Sequence, residues 1–186
     1  LSPARAADSF MAFTTSTSFI CADLRSVSTV SASKYMSTRC RSAVRSTAPL
    51  APAALPVQSP AEWILDVTHN ALSAQVLAEH LNARPRCKTL AILGVMGDKD
   101  VQGMLAALRS QVDYWLPVSL PGSRALPVSA LVEHLHSMQV SVCDSAQTIE
   151  QACQHALELS NQQGIRRIVV CGSFMTVGPV LDWLQF

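Results

Sequence analysis

Four clusters of polar residues each follow a short apolar run. Asp66, Thr68, His69 and Asn70 follow Trp63-Ile64-Leu65, and Gly94-Val95-Met96-Gly97-Asp98-Lys99-Asp100 follows Lys88–Leu93. Ser119, Pro121, Gly122, Ser123 and Arg124 follow Val112–Val118, and Gly172, Ser173 and Thr176 follow Ile168–Cys171. A carboxylate can accept both hydroxyls of a ribose, while imidazole and ammonium donate to phosphate oxygens. Helix N-termini favour anions. Together these groups suit a nucleotide and a small anionic substrate. Each has a plainer use as well. Asp66 or Asn70 could cap the following helix, Asp98 or Asp100 the next, and Ser173 the last, with His69 a structural hydrogen-bonding residue and Lys99 merely solvated.

The elements that must position these groups alternate regularly from Trp63 onward. Five apolar runs predict strands at 63–67, 88–93, 112–118, 140–143 and 168–171. Leu72, Val76, Leu77 and Leu81 share one helix face within 70–83. Further helices are expected at 101–108, at 128–135 behind Pro127, from Ser145 through Leu159 with Gly164 beyond its end, and after Gly172. Alternation of this kind predicts an α/β fold: a Rossmann-like, mostly parallel sheet with helices on both faces. Ligands of such sheets bind outside the carboxyl ends of the strands, where all four clusters fall.

Bulk properties narrow the class. Of 186 residues, 49% are hydrophobic and 5% aromatic, and the net charge is +1. That charge offers no footprint for nucleic acid, and no apolar run approaches the ~20 residues that span a bilayer. Cys21, Cys40, Cys87, Cys143, Cys153 and Cys171 form no CxxC pair; they read as reduced cytoplasmic thiols. His80, His134, His136 and His155 fall within expected helices and are assigned no function. His134 and His136 are two apart and do not share a helix face as a metal pair would.

Residues 1–60 differ in character. They hold 12 Ser, 6 Thr, no Gly, and six Lys or Arg against only Asp8 and Asp23. Pro49, Pro52, Pro56 and Pro60 suggest a stiff, extended linker. Residues 14–60 are expected to be poorly ordered, ahead of a domain at 61–186. A Ser- and Arg-rich, acid-poor start also describes an organelle transit peptide, although the chain begins at Leu1.

Three segments carry a family resemblance over about residues 61–186. Asp66-Val67-Thr68-His69-Asn70 resembles the D-x-A-H-N-P motif of the Mur-ligase superfamily's C-terminal domain, and Gly94–Asp100 its G-x-x-x-D-[KR]-D loop. Val170-Cys171-Gly172-Ser173-Phe174-Met175-Thr176-Val177 resembles the C-G-S-F-x-T-V segment of bacterial folylpolyglutamate/dihydrofolate synthases. Thr68 stands for the usual Ala, Ala71 for the usual Pro, and Met175 where related proteins often carry His or an aromatic. The resemblance implies an ATP- and Mg2+-dependent, cytoplasmic ligase, monomeric when complete. In that family ATP phosphorylates a carboxylate of dihydropteroate or a folate, and the amine of L-glutamate attacks the acyl phosphate. Carried over, Asp66 would hold the ATP ribose, and His69 and Asn70 would sit near the nucleotide and the incoming glutamate. Lys99 would help organise the closed site, and Ser173 would contact glutamate or the reacting phosphate.

The phosphate cradle is the missing part. No G-x-x-x-x-G-K-[ST] occurs, and the first Gly in the chain is Gly94. The family carries that loop, its Mg2+ ligands and much of the pterin site in a larger N-terminal domain, so this chain alone is expected to be inactive. Leu1–Phe13 looks like the helix that ends that domain. Ala51-Pro52-Ala53-Ala54-Leu55 then occupies the place of the family's L-P-G-R-F linker. Codons GCC-CCG-GCC-GCT-TTG for those five residues, read two bases later, encode Pro-Gly-Arg-Phe. Part of residues 14–55 is therefore read as out of frame, with a divergent Ser-rich linker as the alternative. Other functions weighed are a peptidoglycan-precursor ligase fragment, a nucleotide-binding or interaction module without catalysis, and an inert gene fragment.

Overall fold

The computed structural model describes residues 20–22, as backbone, and 61–185. In chain order the elements are β1 (Ile20–Ala22), β2 (Glu62–Leu65), α1 (Ala71–Asn82), β3 (Thr89–Leu93), α2 (Val101–Leu108), β4 (Tyr114–Pro117), α3 (Val128–Ser137), α4 (Ile149–Gln163), β5 (Arg167–Cys171) and α5 (Phe174–Trp183). They form an α/β fold with one sheet in the order β1-β2-β5-β3-β4. The four strands from β2 onward are parallel. Every residue of β3 and β5 is buried, as strands covered on both faces must be, and both read as continuous apolar runs behind Thr89 and Arg167.

Successive side chains point to opposite faces, so the core has two layers. Trp63, Leu65, Leu90, Ile92, Leu116, Ile168 and Val170 face one way. They meet Ile149, Ala152, Cys153 and Ala156 of α4 and Val177 and Val180 of α5. Ile64, Ala91, Leu93, Trp115, Val169 and Cys171 face the other way, against buried positions of α1, α2 and α3 such as Leu77, Leu105 and Leu131. The chain runs outward through β2, β3 and β4 with α1 to α3 on one face. It then returns beneath the other face to insert β5 between β2 and β3. That reversal puts β5 at the switch point of the sheet.

The polar end opposite the four clusters is tied down by ions. Arg167, 5% exposed at the start of β5, donates through Nε to Glu62 at 3.0 Å, and Arg84 pairs with the same carboxylate. Helix ends follow sequence chemistry. Asn70, Asp100 and Thr148 accept hydrogen bonds from the first-turn amides of α1, α2 and α4. Gly164 ends α4 in the left-handed conformation, φ 68°.

Several boundaries differ from the sequence reading. The expected strand at 140–143 reduces to isolated bridges, Trp115 with Val142 and Val118 with Ala146. Asp144 Oδ1 accepts from the adjacent Ser145 amide at 2.7 Å, so that amide is bonded locally rather than to β4. The following helix starts at Ile149 rather than Ser145, because Thr148 provides the cap. Within the segment expected to lack order, Ile20–Ala22 pairs antiparallel with β2, Ile20 opposite Leu65 and Ala22 opposite Trp63. Three residues without periodic context carry no strand signal; it is the unpaired edge of β2 that recruits them. The remaining expectations for residues 1–60, including the out-of-frame segment, lie outside the described residues.

Candidate functional site

Three strand ends interlock around β5. Gly172 donates its amide to the Thr68 carbonyl at 2.8 Å, joining the β2 and β5 ends. Gly94 donates to the Cys171 carbonyl at 3.3 Å, joining β3 to β5. Gly172 has φ 110°, and a Cβ there would collide with the Gly94 carbonyl oxygen, so only glycine fits.

Asp66 continues β2, its amide held by the Val170 carbonyl at 2.9 Å. The side chain is fully buried. Its Oδ1 accepts from the Thr68 amide at 2.8 Å and the Thr68 hydroxyl at 2.6 Å. Its Oδ2 has no hydrogen-bond partner among the described residues. Burial pushes its carboxyl pKa above the ordinary 3.8, and the two Thr68 hydrogen bonds offset only part of that. The free oxygen offers the lone pairs a ribose hydroxyl needs, although in this structure it is covered.

His69 is exposed, and its Nδ1 lies 3.0 Å from the Val67 carbonyl. A carbonyl can only accept, so Nδ1 carries a proton in this contact. Asn70 is the N-cap of α1. Its Oδ1 takes the Ser73 amide at 2.8 Å while Ser73 Oγ receives the Asn70 amide at 3.3 Å, a reciprocal capping box. Ser173 caps α5, accepting from the Met175 amide at 3.1 Å. Asp100 caps α2 through the Gly103 amide at 2.9 Å. The plainer use foreseen for these three is thus their observed geometry.

Lys99 lies on the β3–α2 loop and pairs with Asp98 at 3.0 Å. That hydrogen bond, with the charges of Lys99 and Arg124, holds the Asp98 carboxyl below 3.8. Among the described residues Lys99 meets none of Asp66, His69 or Ser173. The loop is braced by a miniature ribbon: Gly97 donates to the Arg124 carbonyl at 2.8 Å and Leu126 to the Val95 carbonyl at 3.0 Å. Cys171, beside Asp66, is no nucleophile, since burial pushes its thiol up to about 12. Among the described residues no three His, Cys, Asp or Glu side chains gather as metal ligands. No described helix is long and apolar enough to cross a membrane.

Two contributors went unassigned in the sequence. Thr68 was grouped with the strand-end polar residues and noted as a departure from a motif Ala, without a role, yet an Asp two residues before it is the setting for a local side-chain turn. Thr176 was grouped with the strand-end hydroxyls without a role; it proves to be the buried donor to the Gly94 carbonyl, at 2.9 Å. No local signal marks a contact between residues 82 positions apart.

A family model described as Mur ligase, glutamate ligase domain, matches residues 55–174. The chain belongs to the Mur ligase family. Its described α/β unit is a C-terminal domain of the kind found in dihydrofolate synthase/folylpolyglutamate synthases. The enzyme of that name from Escherichia coli K12 is 35% identical over 120 residues, which is 64% of this chain and 27% of the relative. Its Haemophilus influenzae counterpart is 32% identical over 128 residues, covering 66% and 29%. Among solved structures, the Yersinia pestis bifunctional enzyme complexed with AMPPNP and Mn superposes with TM-score 0.61 at 35% identity. That match covers 70% of this chain and 30% of the Yersinia chain. E. coli FolC in complex with ADP superposes with TM-score 0.60 at 33% identity, covering 71% and 30%. The chain thus spans under a third of the length of these relatives.

Proposed function

We propose that this chain is the glutamate-handling C-terminal domain of an ATP-dependent acid–amino-acid ligase that adds L-glutamate to dihydropteroate or folates. The division would be at about residue 60, with 1–60 a remnant of the preceding domain and a linker. The observation that carries the reading is the order of the three motifs on adjoining strand ends, interlocked through Thr68, Gly172 and Gly94. Relatives solved with AMPPNP, Mn and L-glutamate, or with DHPP and ADP, support the substrate class.

ATP would supply the activated phosphoryl group, with Mg2+ held mainly by residues outside this chain. Asp66 Oδ2 takes a ribose hydroxyl once its cover opens. His69, its Nδ1 bonded to the Val67 carbonyl, presents Nε2 toward the nucleotide or the incoming amine. Asn70 holds the first turn of α1 beneath it. Lys99 moves from Asp98 to the substrate anion, and Ser173 offers its hydroxyl beside the N-terminus of α5. The chain acts only with a phosphate-binding partner domain, as a cytoplasmic monomer when complete. A module that binds nucleotide without catalysis is the second reading, favoured by the capping roles of Asn70, Asp100 and Ser173.

Titration of the isotopically labelled chain with ADP tests both. Amide shifts at Thr68–Asn70 and Gly97–Asp100 are expected, weakened by Asp66→Ala by about one to two decades, as for a lost charged hydrogen bond. A chain that shows no shift with ADP sinks both readings. Restored glutamate ligation on adding the N-terminal domain of a relative separates ligase from module.

A further inference from the structure

Gly94 is where the chain leaves the sheet for the loop that carries Lys99. Both of its polar backbone groups are bonded to the β5–α5 segment. Its amide donates to the Cys171 carbonyl, and its carbonyl accepts from Thr176 Oγ1. Thr176 is fully buried in the first turn of α5, three residues after Ser173. A Cβ on Gly94 would lie 2.8 Å from Thr176 Oγ1 and equally close to Leu120, so glycine is what lets the two backbones approach this closely. On the far side the next residue group is fixed as well, by the Val95–Leu126 and Gly97–Arg124 bonds. The loop is therefore held at its root by α5 and at its middle by the β4–α3 connection.

We propose that Thr176 is a positioning residue: its hydroxyl locks the Lys99 loop to the helix start that bears Ser173, fixing the separation of these two groups. A buried carbonyl that loses its donor is costly, so removing the hydroxyl lets the loop root shift to find another partner. Val keeps a methyl and removes the hydroxyl at this buried position, whereas Ser keeps the hydroxyl alone. The geometry of the lock is independent of what binds; its effect on ligand rests on the ligase reading above.

Amide hydrogen exchange on the full chain tests it, comparing wild type with Thr176→Val and Thr176→Ser. In Thr176→Val, exchange at Gly94, Gly97, Lys99 and Leu126 should quicken by roughly tenfold or more, the effect of one lost buried hydrogen bond. Leu77, Leu105 and Ala156, in the helices, should change far less, and Thr176→Ser should restore the loop amides. ADP shifts at Gly97–Asp100 should weaken in Thr176→Val while those at Thr68–Asn70 persist. Equal quickening of loop and helices would mark a plain loss of stability and overturn the proposal. So would Ser behaving like Val, or no change. If Val does not fold, Thr176→Ala supplies the same loss of hydroxyl. If neither folds while Ser does, the hydroxyl is a folding requirement and the positioning role falls. A wild-type chain that fails to bind ADP removes the ligase reading but leaves the exchange comparison to decide the lock.

Discussion

Asp66 concentrates the electrostatics of the site in one side chain. Folded, it binds its proton more tightly than in the unfolded chain, because burial penalises the charge more than Thr68 relieves it. Stability should therefore fall as pH rises from the unfolded value of 3.8 through the raised folded value, and stay reduced above it. Asp66→Asn keeps an oxygen for Thr68 and removes the charge. Urea unfolding from acid to neutral pH should show the variant gaining on wild type across that window and keeping its lead at neutral pH, with the two equal below 3.8. A variant weaker at neutral pH would mean that Oδ2 depends on its charge. The type and position of Asp66 were readable in the sequence, since a carboxylate ends an apolar run. Its complete burial was not, because that depends on β5 and Thr68 closing over it.

Helices and strands obeyed the sequence where the signal was local. Val101–Leu108 and Gly164 follow directly from apolar spacing and from the left-handed turn that glycine allows. The edge elements were misread in opposite directions: 20–22 has no autonomous pattern yet pairs with β2, while the apolar run at 140–143 makes only isolated bridges, because both are decided by which strand edge is free. Local caps should behave locally. Asn70→Ala should cost about 1 kcal/mol in chemical denaturation and Asn70→Asp much less. Gly172→Ala is of another order: φ 110° and the Gly94 carbonyl leave no room, so a loss of at least about 3 kcal/mol is expected, read as a lowered midpoint or failure to fold. Glu62→Ala strips the nearly buried Arg167 of its ion pair and should cost about 3 kcal/mol. A denaturation midpoint unchanged in Glu62→Ala would show that Arg167 is adequately held by the Pro85 carbonyl at 3.3 Å.

For the molecule as a whole, fold class and family were legible because strand-end chemistry, spacing and order agree with one another. On the proposed ligase reading, the chemistry is divided between this chain and a phosphate-binding partner domain. The isolated chain should release no ADP that depends on pteroate and glutamate together; measurable release would mean that residues here cradle the triphosphate. The exposed apolar groups flanking the site, Phe174 at 71%, Leu72 at 66% and Met175 at 44%, sit on helix starts rather than in the core, and contribute little to either apolar layer. The outermost strand has a different consequence. β1 pairs with β2 across a long stretch of sequence, Ala22 with Trp63, 41 residues on. Such a contact forms late, after the parallel strands have assembled, because its loop must close first. It also acts as a self-supplied guard on a sticky border. A chain begun at residue 61 would bare the β2 ladder and should self-associate with rising concentration, as sedimentation velocity would register, whereas the intact chain should not.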